Sequence, residues 1–312
     1  MIHFLTLPEG AGHIDIFIDR FDRSYGRQLV EVTYQKLRQR GVAQPGVYIF
    51  TDRDRMNSYQ RQVAGAIRRK LLSAGPGFKV LGDPEGQLGR LELLAKLSRE
   101  NINDYRVHVA TKLNPDDLRY PVFVRIEDDH MGPRSELLHT WAEVVQSVAG
   151  LVLAGFAKSR ILVIEYIDTK GDDGLYRKYG SFRIGPAIVC QHILHATAWL
   201  AKRDTTIRTP ELVELSDNFY HTNPHHELLM PIFDAAGVDY GRIDYSFAEG
   251  RIQVWEINDN PMYFGRRSAG LSKARKDEAF MKAFAKLDTG LAAADPIPLV
   301  LDIEDIRGAV LT

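Results

Sequence analysis

The sequence predicts an α/β protein in which an open α/β lobe at the N-terminus is followed by two α+β lobes. Strand and helix patterns alternate between residues 46 and 99, as in a small parallel sheet. A second group of apolar strands with one amphipathic helix follows between residues 122 and 168, and a β-hairpin spans residues 242–258. The expected domains are 1–115, an N-terminal α/β lobe; 116–195, a lobe with a polar loop and an inner strand; and 196–312, a lobe with the hairpin and the C-terminal tail.

Composition excludes little beyond extremes of charge. Of 312 residues, 45% are hydrophobic and 26% are charged, and the net charge is −1, so no electrostatic argument favours a nucleic acid or a membrane as partner. The one cysteine, Cys190, lies in the apolar run "GPAIVCQHIL" and indicates a reducing compartment. The first residues lack a basic segment followed by an apolar one, so we expect a cytoplasmic protein.

The N-terminal lobe is expected to contain two strands and two helices in alternation. "GVYIFTD" (46–52) and "FKVLGDP" (78–84) are short apolar runs that end at polar or turn residues. The segment between them carries Val63, Ile67 and Leu71 at helical spacing, and "EGQLGRLELLAKLSREN" repeats this pattern. In the first forty residues, "DRSYGRQLVEVTYQKLRQRG" also predicts a helix.

The second half of the chain is richer in strands. "VFVRI" and "RILVIEYID" are apolar strands, separated by a polar loop and the helix pattern "ELLHTWAEVVQSVAGLVLAGF". "LYRKYGSFRIGPAIVCQHI" indicates either one long strand or a hairpin that turns at Gly185–Pro186. "PELVELSDNFYHTNPHHELLMPIFDAAG" predicts one helix, and a cationic helix and a short apolar strand, "IPLVLDI", follow the hairpin of residues 242–258.

That hairpin, "RIDYSFAEGRIQVWEINDNP", places oxygen-bearing side chains on one sheet face. Side chains alternate along a strand, so Glu256 and Asn258 share a face of the second strand, as Arg242 and Asp244 do on the first. If Asp244 meets Glu256 and Asn258, the three form a site for a hard cation such as Mg²⁺. The alternative is an amphipathic hairpin whose acidic face is solvated.

The register of the hairpin decides between these alternatives. Paired residue numbers have a constant sum, so Asp244 faces Glu256 only if the loop is odd-numbered or a bulge intervenes. "AEGRI" suits a three-residue loop of the bulged kind. A two-residue Glu249–Gly250 turn would instead pair Asp244 with Trp255 and scatter the polar groups.

Several segments together resemble the ATP-grasp superfamily. "GRIDYSFAEGRIQVWEINDNP" is similar to its metal-binding hairpin, in which an R-x-D strand precedes an E-x-N strand. "PVFVRIEDDH" resembles the strand that presents a cation to the nucleotide phosphates, with Arg125 where the family usually has lysine. "MGPRSE" resembles the loop that covers the phosphates, and "ILVIEYID" resembles the hinge strand whose backbone pairs with the adenine edge.

The resemblance implies a role for each matching residue. Asp244, Glu256 and Asn258 would hold one or two Mg²⁺ ions, with Mn²⁺ as a substitute. Arg242 would stabilise a tetrahedral oxyanion, although a structural ion pair with the acidic site is an equal alternative. Arg267 and Ser268, in "NPMYFGRRSAG", would bind the acceptor or the carboxylate, or else belong to a solvated loop. The ATP-binding residues would be Arg90, Arg125, Glu165, Tyr166, Ile167, Lys178 and Lys202.

Three other sets of side chains can be interpreted from their spacing alone. Lys178 and Arg183 are five residues apart on one strand and face opposite ways, so we expect at most one of them to reach the nucleotide. In "QHILH", His192 and His195 would be one turn apart on a helix, and a surface or partly packed pair is expected there rather than a pair of ligands. The histidines of "HTNPHHELL" are interrupted by Pro224, so a turn and helix start is expected there rather than a zinc site.

The resemblance implies an ATP- and Mg²⁺-dependent ligase that activates a carboxylate as an acyl phosphate and joins it to an amine or similar nucleophile. Its partners would then be a small-molecule or peptide carboxylate and an acceptor, with a homodimer left open. Two alternatives remain at this point: an ATP-grasp kinase or phosphotransferase, and a non-catalytic nucleotide-binding protein. The substitution of arginine for the usual lysine keeps the second alternative open, because an arginine presents a planar fork where a lysine presents a point charge.

Overall fold

The computed structural model of the chain describes residues 1–14, 29–129, 131–202, 205–262, 271–301 and 305. The strands in these ranges are β1 (Ile2–Thr6), β2 (Leu29–Thr33), β3 (Val42–Ala43), β4 (Gly46–Phe50), β5 (Phe78–Leu81), β6 (Val107–Val109), β7 (Val122–Ile126), β8 (Ile161–Glu165), β9 (Tyr176–Ile184), β10 (Ala187–Ala196), β11 (Tyr240–Ala248), β12 (Arg251–Asn258) and β13 (Ile297–Pro298). The helices are α1 (Tyr34–Arg40), α2 (Ser58–Ser73), α3 (Arg90–Arg99), α4 (Trp141–Leu153), α5 (Pro210–Thr222), α6 (His226–Ala235) and α7 (Leu271–Leu287).

The N-terminal lobe is a parallel sheet in the order β2–β1–β4–β5. Every residue of β1 and β4 is buried, as expected of inner parallel strands covered on both faces. The two strands and two helices predicted between residues 46 and 99 are confirmed. The helix predicted in the first forty residues is wrong over Leu29–Thr33, where β-branched side chains favour a strand. Thr33 caps the shorter helix α1 by accepting from the amide of Lys36 at 3.2 Å.

The second sheet is antiparallel, in the order β6–β8–β7, and helix α4 packs against it through Val144 and Val148. The third sheet is also antiparallel, in the order β10–β9–β11–β12. Its β9–β10 hairpin turns at Gly185–Pro186, which selects the hairpin over one long strand. The single helix predicted before β11 is two helices, because Asn223 takes a left-handed conformation (φ 46°) and Pro224 follows it.

The sheets do not coincide with the three expected domains. Strand β6 precedes the boundary expected near residue 115, but it pairs with β8 in the second sheet. Strands β9 and β10 were expected in the middle lobe, yet β9 pairs with β11 in the third sheet. Strand pairing, which connects residues far apart in sequence, therefore crosses both expected boundaries. Among the described residues, no helix combines the length and the apolar character needed to cross a bilayer.

The hairpin of β11 and β12 brings Asp244 opposite Glu256. Its turn is the two-residue Glu249–Gly250, with φ values of 49° and 77°, so the predicted three-residue loop is wrong. The alternative route, a bulge, is confirmed: the register shifts between Asp244 and Tyr245, and Trp255 is the extra residue. A bulge five residues from the turn thus restores the pairing that the turn alone would prevent.

Candidate nucleotide-binding site

A cavity of about 390 Å³ lies between the second and third sheets. Strand β7 and the loop after it form one wall, and β9, β10 and the β11–β12 hairpin form the opposite wall. The segment after β8 and residues 199–202 close one end. Its volume is of the size that small-molecule and cofactor sites have.

One half of the cavity is apolar and aromatic. The ring of Trp199 lies 5.2 Å from that of Phe123, and it meets the ring of Tyr166 edge-on at 6.0 Å, measured between centroids. Ile167 and Leu194 also line the cavity. A flat heteroaromatic group is well suited to such a surface, because it buries apolar area and its edge can reach the backbone of the hinge segment.

The other half holds Asp244, which is buried between two cations. Arg242 Nε donates to Asp244 Oδ1 at 2.7 Å, and Lys178 Nζ donates to Oδ2 at 3.1 Å. Burial opposes ionisation of the carboxyl group, but the charges of Arg242 and Lys178 outweigh it and hold the pKa of Asp244 well below its usual range. Asp244 is therefore a carboxylate at neutral pH.

Glu256, directly across the hairpin, is paired with two buried arginines. Its Oε2 lies 2.6 Å from Arg90 Nη2 and 3.1 Å from Arg125 Nη2. Burial opposes ionisation here as well, yet the two arginines lower the pKa of Glu256. The same guanidinium groups donate to backbone carbonyls of the loop after β7, both of them to Asp129 at 3.3 Å. The two arginines thus connect the hairpin to this loop.

Positive charge exceeds negative charge in this half of the cavity. Four cationic side chains contact two carboxylates, and Lys202 adds a further cation on the cavity wall. Within the described ranges, the buried Nε atoms of Arg90 and Arg125 have no hydrogen-bond acceptor. An unbalanced, partly unsatisfied set of cations is stabilised by a polyanion such as a triphosphate.

The donor set also fits a hard divalent cation. Carboxylate oxygens are the ligands that Mg²⁺ prefers, and it usually takes only one or two of them from the protein. Three or more His, Cys, Asp or Glu side chains grouped to hold a metal do not occur in the described part of the chain. A metal here would therefore depend on Asp244 and Glu256, with its remaining ligands supplied by phosphate, water or a carboxamide.

Most of the residues predicted to bind the nucleotide or a metal lie on the cavity wall. Arg183 points the other way and pairs with Asp234 at 2.6 Å, so Lys178 is the member of that pair that reaches the cavity. The predicted residues that line it are Arg125, Tyr166, Ile167, Lys178, Lys202, Arg242, Asp244 and Glu256.

The other predicted residues differ in placement. Arg90 is absent from the described lining and reaches the site through its contacts with Glu256 and with the backbone of the loop after β7. Asn258 is likewise absent, and its Oδ1 accepts from the amide of Asn260 at 2.9 Å. The amide of Tyr166 donates to the carbonyl of Pro121 at 2.9 Å, so the Tyr166 N–H is already engaged within the protein. Arg267 and Ser268 lie outside the described residues.

Glu165 does not face the cavity, which corrects its expected role beside the nucleotide. Its side chain is buried and accepts from Arg106 Nε at 2.9 Å and from Arg119 Nε at 3.0 Å, and His108 lies 3.5 Å away. Burial raises the pKa of this carboxyl group, but the hydrogen bonds from His108 and the two arginines together hold it well below the ordinary value. Glu165 joins the strands beneath the hinge.

Glu165→Gln is expected to remove part of the acid sensitivity of folding. The pKa of Glu165 is lower in the folded protein than its ordinary value of 4.5, so the carboxylate stabilises the fold above that pH and the contribution is lost as the pH falls below it. The variant should lose roughly 1–3 kcal/mol at pH 7 and show a flatter acid limb. Urea unfolding between pH 3 and 7 measures this, and parallel curves for both proteins would contradict it.

Several lining residues were missed or misassigned from the sequence, among them His192, Phe123 and Trp199. His192 lies on strand β10 and lines the cavity, whereas its spacing from His195 predicts a surface or partly packed residue without a ligand-binding role. Phe123 could have been found, because it is two residues from Arg125 on the same strand and shares its face. Trp199 lies in an irregular segment, where no periodicity marks the direction of a side chain.

Solved structures with the same architecture cover almost the whole chain. A D-alanine–D-alanine ligase from Bacillus anthracis matches 93% of this chain and 96% of its own, with a TM-score of 0.56 and 14% identity. A D-alanine–D-alanine ligase from Coxiella burnetii matches 93% and 94%, with a TM-score of 0.52 and 11% identity. The ATP-grasp ligase PsnB with a minimal precursor matches 89% and 98%, with a TM-score of 0.52 and 13% identity.

The chain therefore has the ATP-grasp fold, as the resemblance of its sequence motifs implied. No protein-family model matches the sequence, and no curated protein matches it. At these low identities the solved structures establish the fold alone, and the activity has to be argued from the side chains of the cavity.

Proposed function

We propose that this protein is an ATP- and Mg²⁺-dependent ligase that activates a carboxylate as an acyl phosphate and joins it to an amine or a similar nucleophile. The observation that carries the proposal is the division of the cavity. An aromatic half suits a nucleobase, and a half in which four cations surround two facing carboxylates suits a triphosphate with a metal. The D-alanine–D-alanine ligase from Bacillus anthracis, which has also been solved with ATP, gives support from the same fold.

In this proposal the nucleotide spans both halves. The adenine ring lies against Phe123, Tyr166 and Trp199, and its edge pairs with the backbone of the hinge segment that contains Tyr166 and Ile167. Arg125, Lys178 and Lys202 bind the phosphates, because each lies on the cavity wall and can exchange an internal partner or solvent for a phosphate oxygen. Arg90 supports them from behind Glu256.

Asp244 and Glu256, together with Asn258, would hold one or two Mg²⁺ ions. When bound, such an ion offsets the negative charge of the phosphates during transfer. The two carboxylates are ionised and face each other across the hairpin, so neither has to lose a proton before it can serve as a ligand. Arg125 and Lys178, which pair with these two carboxylates in the structure, would then be able to bind the phosphates.

The reaction proceeds in two transfers. A carboxylate oxygen of the substrate attacks the γ-phosphorus, the bond to ADP breaks, and ADP leaves. The nucleophile next attacks the acyl carbon, and phosphate leaves with the electron pair of the carbon–oxygen bond. Arg242, which Asp244 holds in place, donates to the oxyanion that forms on the acyl oxygen. Arg267 and Ser268 are assigned in this proposal to binding of the acceptor or the carboxylate.

The products separate a ligase from a kinase. The purified protein is incubated with Mg²⁺, ATP and pooled carboxylates and amines. A ligase releases ADP and phosphate and yields a condensed product, which mass spectrometry identifies. A phosphorylated small molecule without free phosphate would overturn the ligase proposal in favour of phosphotransfer. An absence of ATP turnover in all pools would favour a nucleotide-binding protein.

Asp244→Asn is expected to remove the effect of Mg²⁺ on ATP binding. In the native protein, Mg²⁺ should tighten ATP by at least about tenfold, because a carboxylate pair supplies its protein ligands. The variant keeps the shape of Asp244 but not its charge. Isothermal titration with ATP, with and without Mg²⁺, measures the difference. A variant in which Mg²⁺ still tightens ATP tenfold would contradict the metal assignment.

A further inference from the structure

His192 lies in one row with the two facing carboxylates. Across the third sheet, His192 pairs with Gly180, Gly180 pairs with Asp244, and Asp244 pairs with Glu256. Directly paired residues share a face of the sheet, so the imidazole is on the same side as the proposed metal ligands. His192 is buried and forms part of the cavity wall.

The imidazole ring lies over Gly180, because this residue has no side chain that would occupy the same space. A Cβ atom on Gly180 would lie only 2.2 Å from Cε1 of His192 and 2.6 Å from its Nε2. The ring therefore occupies the space that a side chain at position 180 would take. Its Cε1–Nε2 edge extends over β9, the strand between His192 and Asp244. Gly180 is thus required by the position of the ring.

A second β-bulge explains how the neighbouring residue reaches His192. The register of β9 and β10 shifts between Cys190 and His192, so Gln191 is the extra residue. In a bulge of this kind, two residues on one strand oppose one on the other, and their side chains are turned toward the same side. Gln191 Oε1 consequently lies 3.2 Å from His192 Nδ1, although the two residues are adjacent in sequence.

The contacts of Gln191 determine which nitrogen of His192 carries the proton. Gln191 Nε2 donates to the carbonyl oxygen of Met262 at 3.2 Å, and Arg242 Nη1 donates to Gln191 Oε1 at 3.5 Å. Both contacts orient the carboxamide with its oxygen toward His192. Since a carboxamide oxygen only accepts, Nδ1 of His192 must be the donor. In the neutral ring, Nε2 is then the nitrogen with the lone pair.

The surrounding charges favour that neutral form. Asp244, on β11, lies near the ring. Three cations lie near it as well: Arg242 from β11, Lys178 from β9 and Lys276 from helix α7. Burial, opposed by Asp244 and reinforced by these three cations, lowers the pKa of His192 far below its ordinary value. The same cations would repel a protonated amine, so an amine that enters this region does so uncharged and with N–H groups to donate.

We infer that His192 contacts the acceptor substrate: its Nε2 accepts a hydrogen bond from the N–H of the incoming amine and turns the nitrogen lone pair toward the acyl carbon. The inference rests on the proposed function. As the new carbon–nitrogen bond forms, the carbon–oxygen bond to phosphate breaks, and the surplus proton on nitrogen passes to the departing phosphate. His192 orients the nucleophile and is not itself consumed or charged. The acceptor class is therefore an uncharged primary amine or a similar N–H nucleophile.

Two substitutions at position 192 separate the two ring nitrogens. In His192→Asn the carboxamide matches Nδ1 and keeps the contact with Gln191, but it does not reach the position of Nε2. In His192→Gln the longer side chain carries an acceptor oxygen to that position. Gly180→Ala provides an independent variant, because its methyl group displaces the ring without removing any polar atom from the site.

The assay uses hydroxylamine as the probe amine, with Mg²⁺, ATP and pooled carboxylates, and measures acyl hydroxamate. We expect His192→Asn and Gly180→Ala to lose about tenfold in kcat/KM for hydroxylamine, the scale of one hydrogen bond. The affinity for Mg²⁺ and ATP should remain native in both, and His192→Gln should recover most of the loss.

Each outcome decides the inference. An unchanged kcat/KM for hydroxylamine in His192→Asn overturns it, and so does a parallel loss of ATP affinity, which would indicate a structural or nucleotide-binding role. If His192→Asn does not fold, Gly180→Ala carries the same comparison. A native protein that binds ATP and Mg²⁺ but forms no hydroxamate from any pool overturns the ligase proposal, and this inference with it.

Discussion

Glu256→Gln is expected to abolish the effect of Mg²⁺ on ATP binding and to destabilise the protein by about 3 kcal/mol. Glu256 is the shared counter-charge of Arg90 and Arg125, both of which are buried. Removing its charge leaves two guanidinium groups close together without compensation. The same two cations then attract phosphate more strongly, so ATP without metal should bind more tightly than to the native protein. Urea unfolding and calorimetric titration measure the two effects.

Asp234→Asn is the matched control for this prediction. Asp234 also pairs with an arginine of the third sheet, Arg183, but its side chain is 64% exposed and it is absent from the described lining of the cavity. An exposed pair contributes at most about 1 kcal/mol, so stability and ATP binding should change little. If Glu256→Gln behaved like this control, with Mg²⁺ still tightening ATP, the hairpin would not be a metal site.

Arg125→Met is expected to weaken ATP by about 10–100-fold, which corresponds to one or two charge-assisted hydrogen bonds. Arg125→Lys tests the departure from the lysine usual at this position. The guanidinium contacts both Glu256 and the Asp129 carbonyl, whereas one ammonium on a flexible stem presents a point charge rather than a fork. We therefore expect the lysine variant to lose less ATP affinity than the methionine variant, but to become less stable without nucleotide.

Arg160→Met serves as the control for these variants. Arg160 pairs with Asp128, which lies beside Asp129 in the loop after β7. The side chain of Arg160 is 53% exposed, and it is not among the described residues of the cavity wall. It should leave the dissociation constant of ATP within about twofold, as expected for an exposed pair. Equal ATP affinity in native protein and Arg125→Met, measured by titration with Mg²⁺ present, would show that Arg125 is structural and that phosphate binding lies elsewhere.

Local patterns predicted the elements in which side-chain direction follows a simple period. The expected strands form at the apolar runs 46–50 and 122–126. The expected helix forms where apolar residues recur at helical spacing around Ile67. The errors fall where two local preferences compete. Residues 29–33 come directly before a helix pattern, and no change in polarity separates the two segments. The sequence therefore predicts one helix where the structure has a strand and then a helix. The segment between the two helices at Asn223–Pro224 is too short for the sequence to show that one helix ends there and another begins.

The candidate site was predictable only in part, because parity predicts which face a side chain occupies but not what it contacts. The alternation along β9 correctly separated Lys178 from Arg183. It could not show that Glu165, on the hinge strand, is held by Arg106 and Arg119, which come from segments more than forty residues earlier in the chain. Contacts of this kind depend on the pairing of distant segments.

The sequence by itself determined the order of the elements, the polar face of the hairpin and the type of chemistry that its oxygen-bearing residues allow. Only the tertiary structure decided the register, since the bulge at Trp255, and not the turn, brings Asp244 opposite Glu256. In the same way, the bulge at Gln191 sets the register in which His192 pairs with Gly180. No particular residue type marks the position of a bulge, because one extra residue is tolerated wherever packing across the whole sheet favours it.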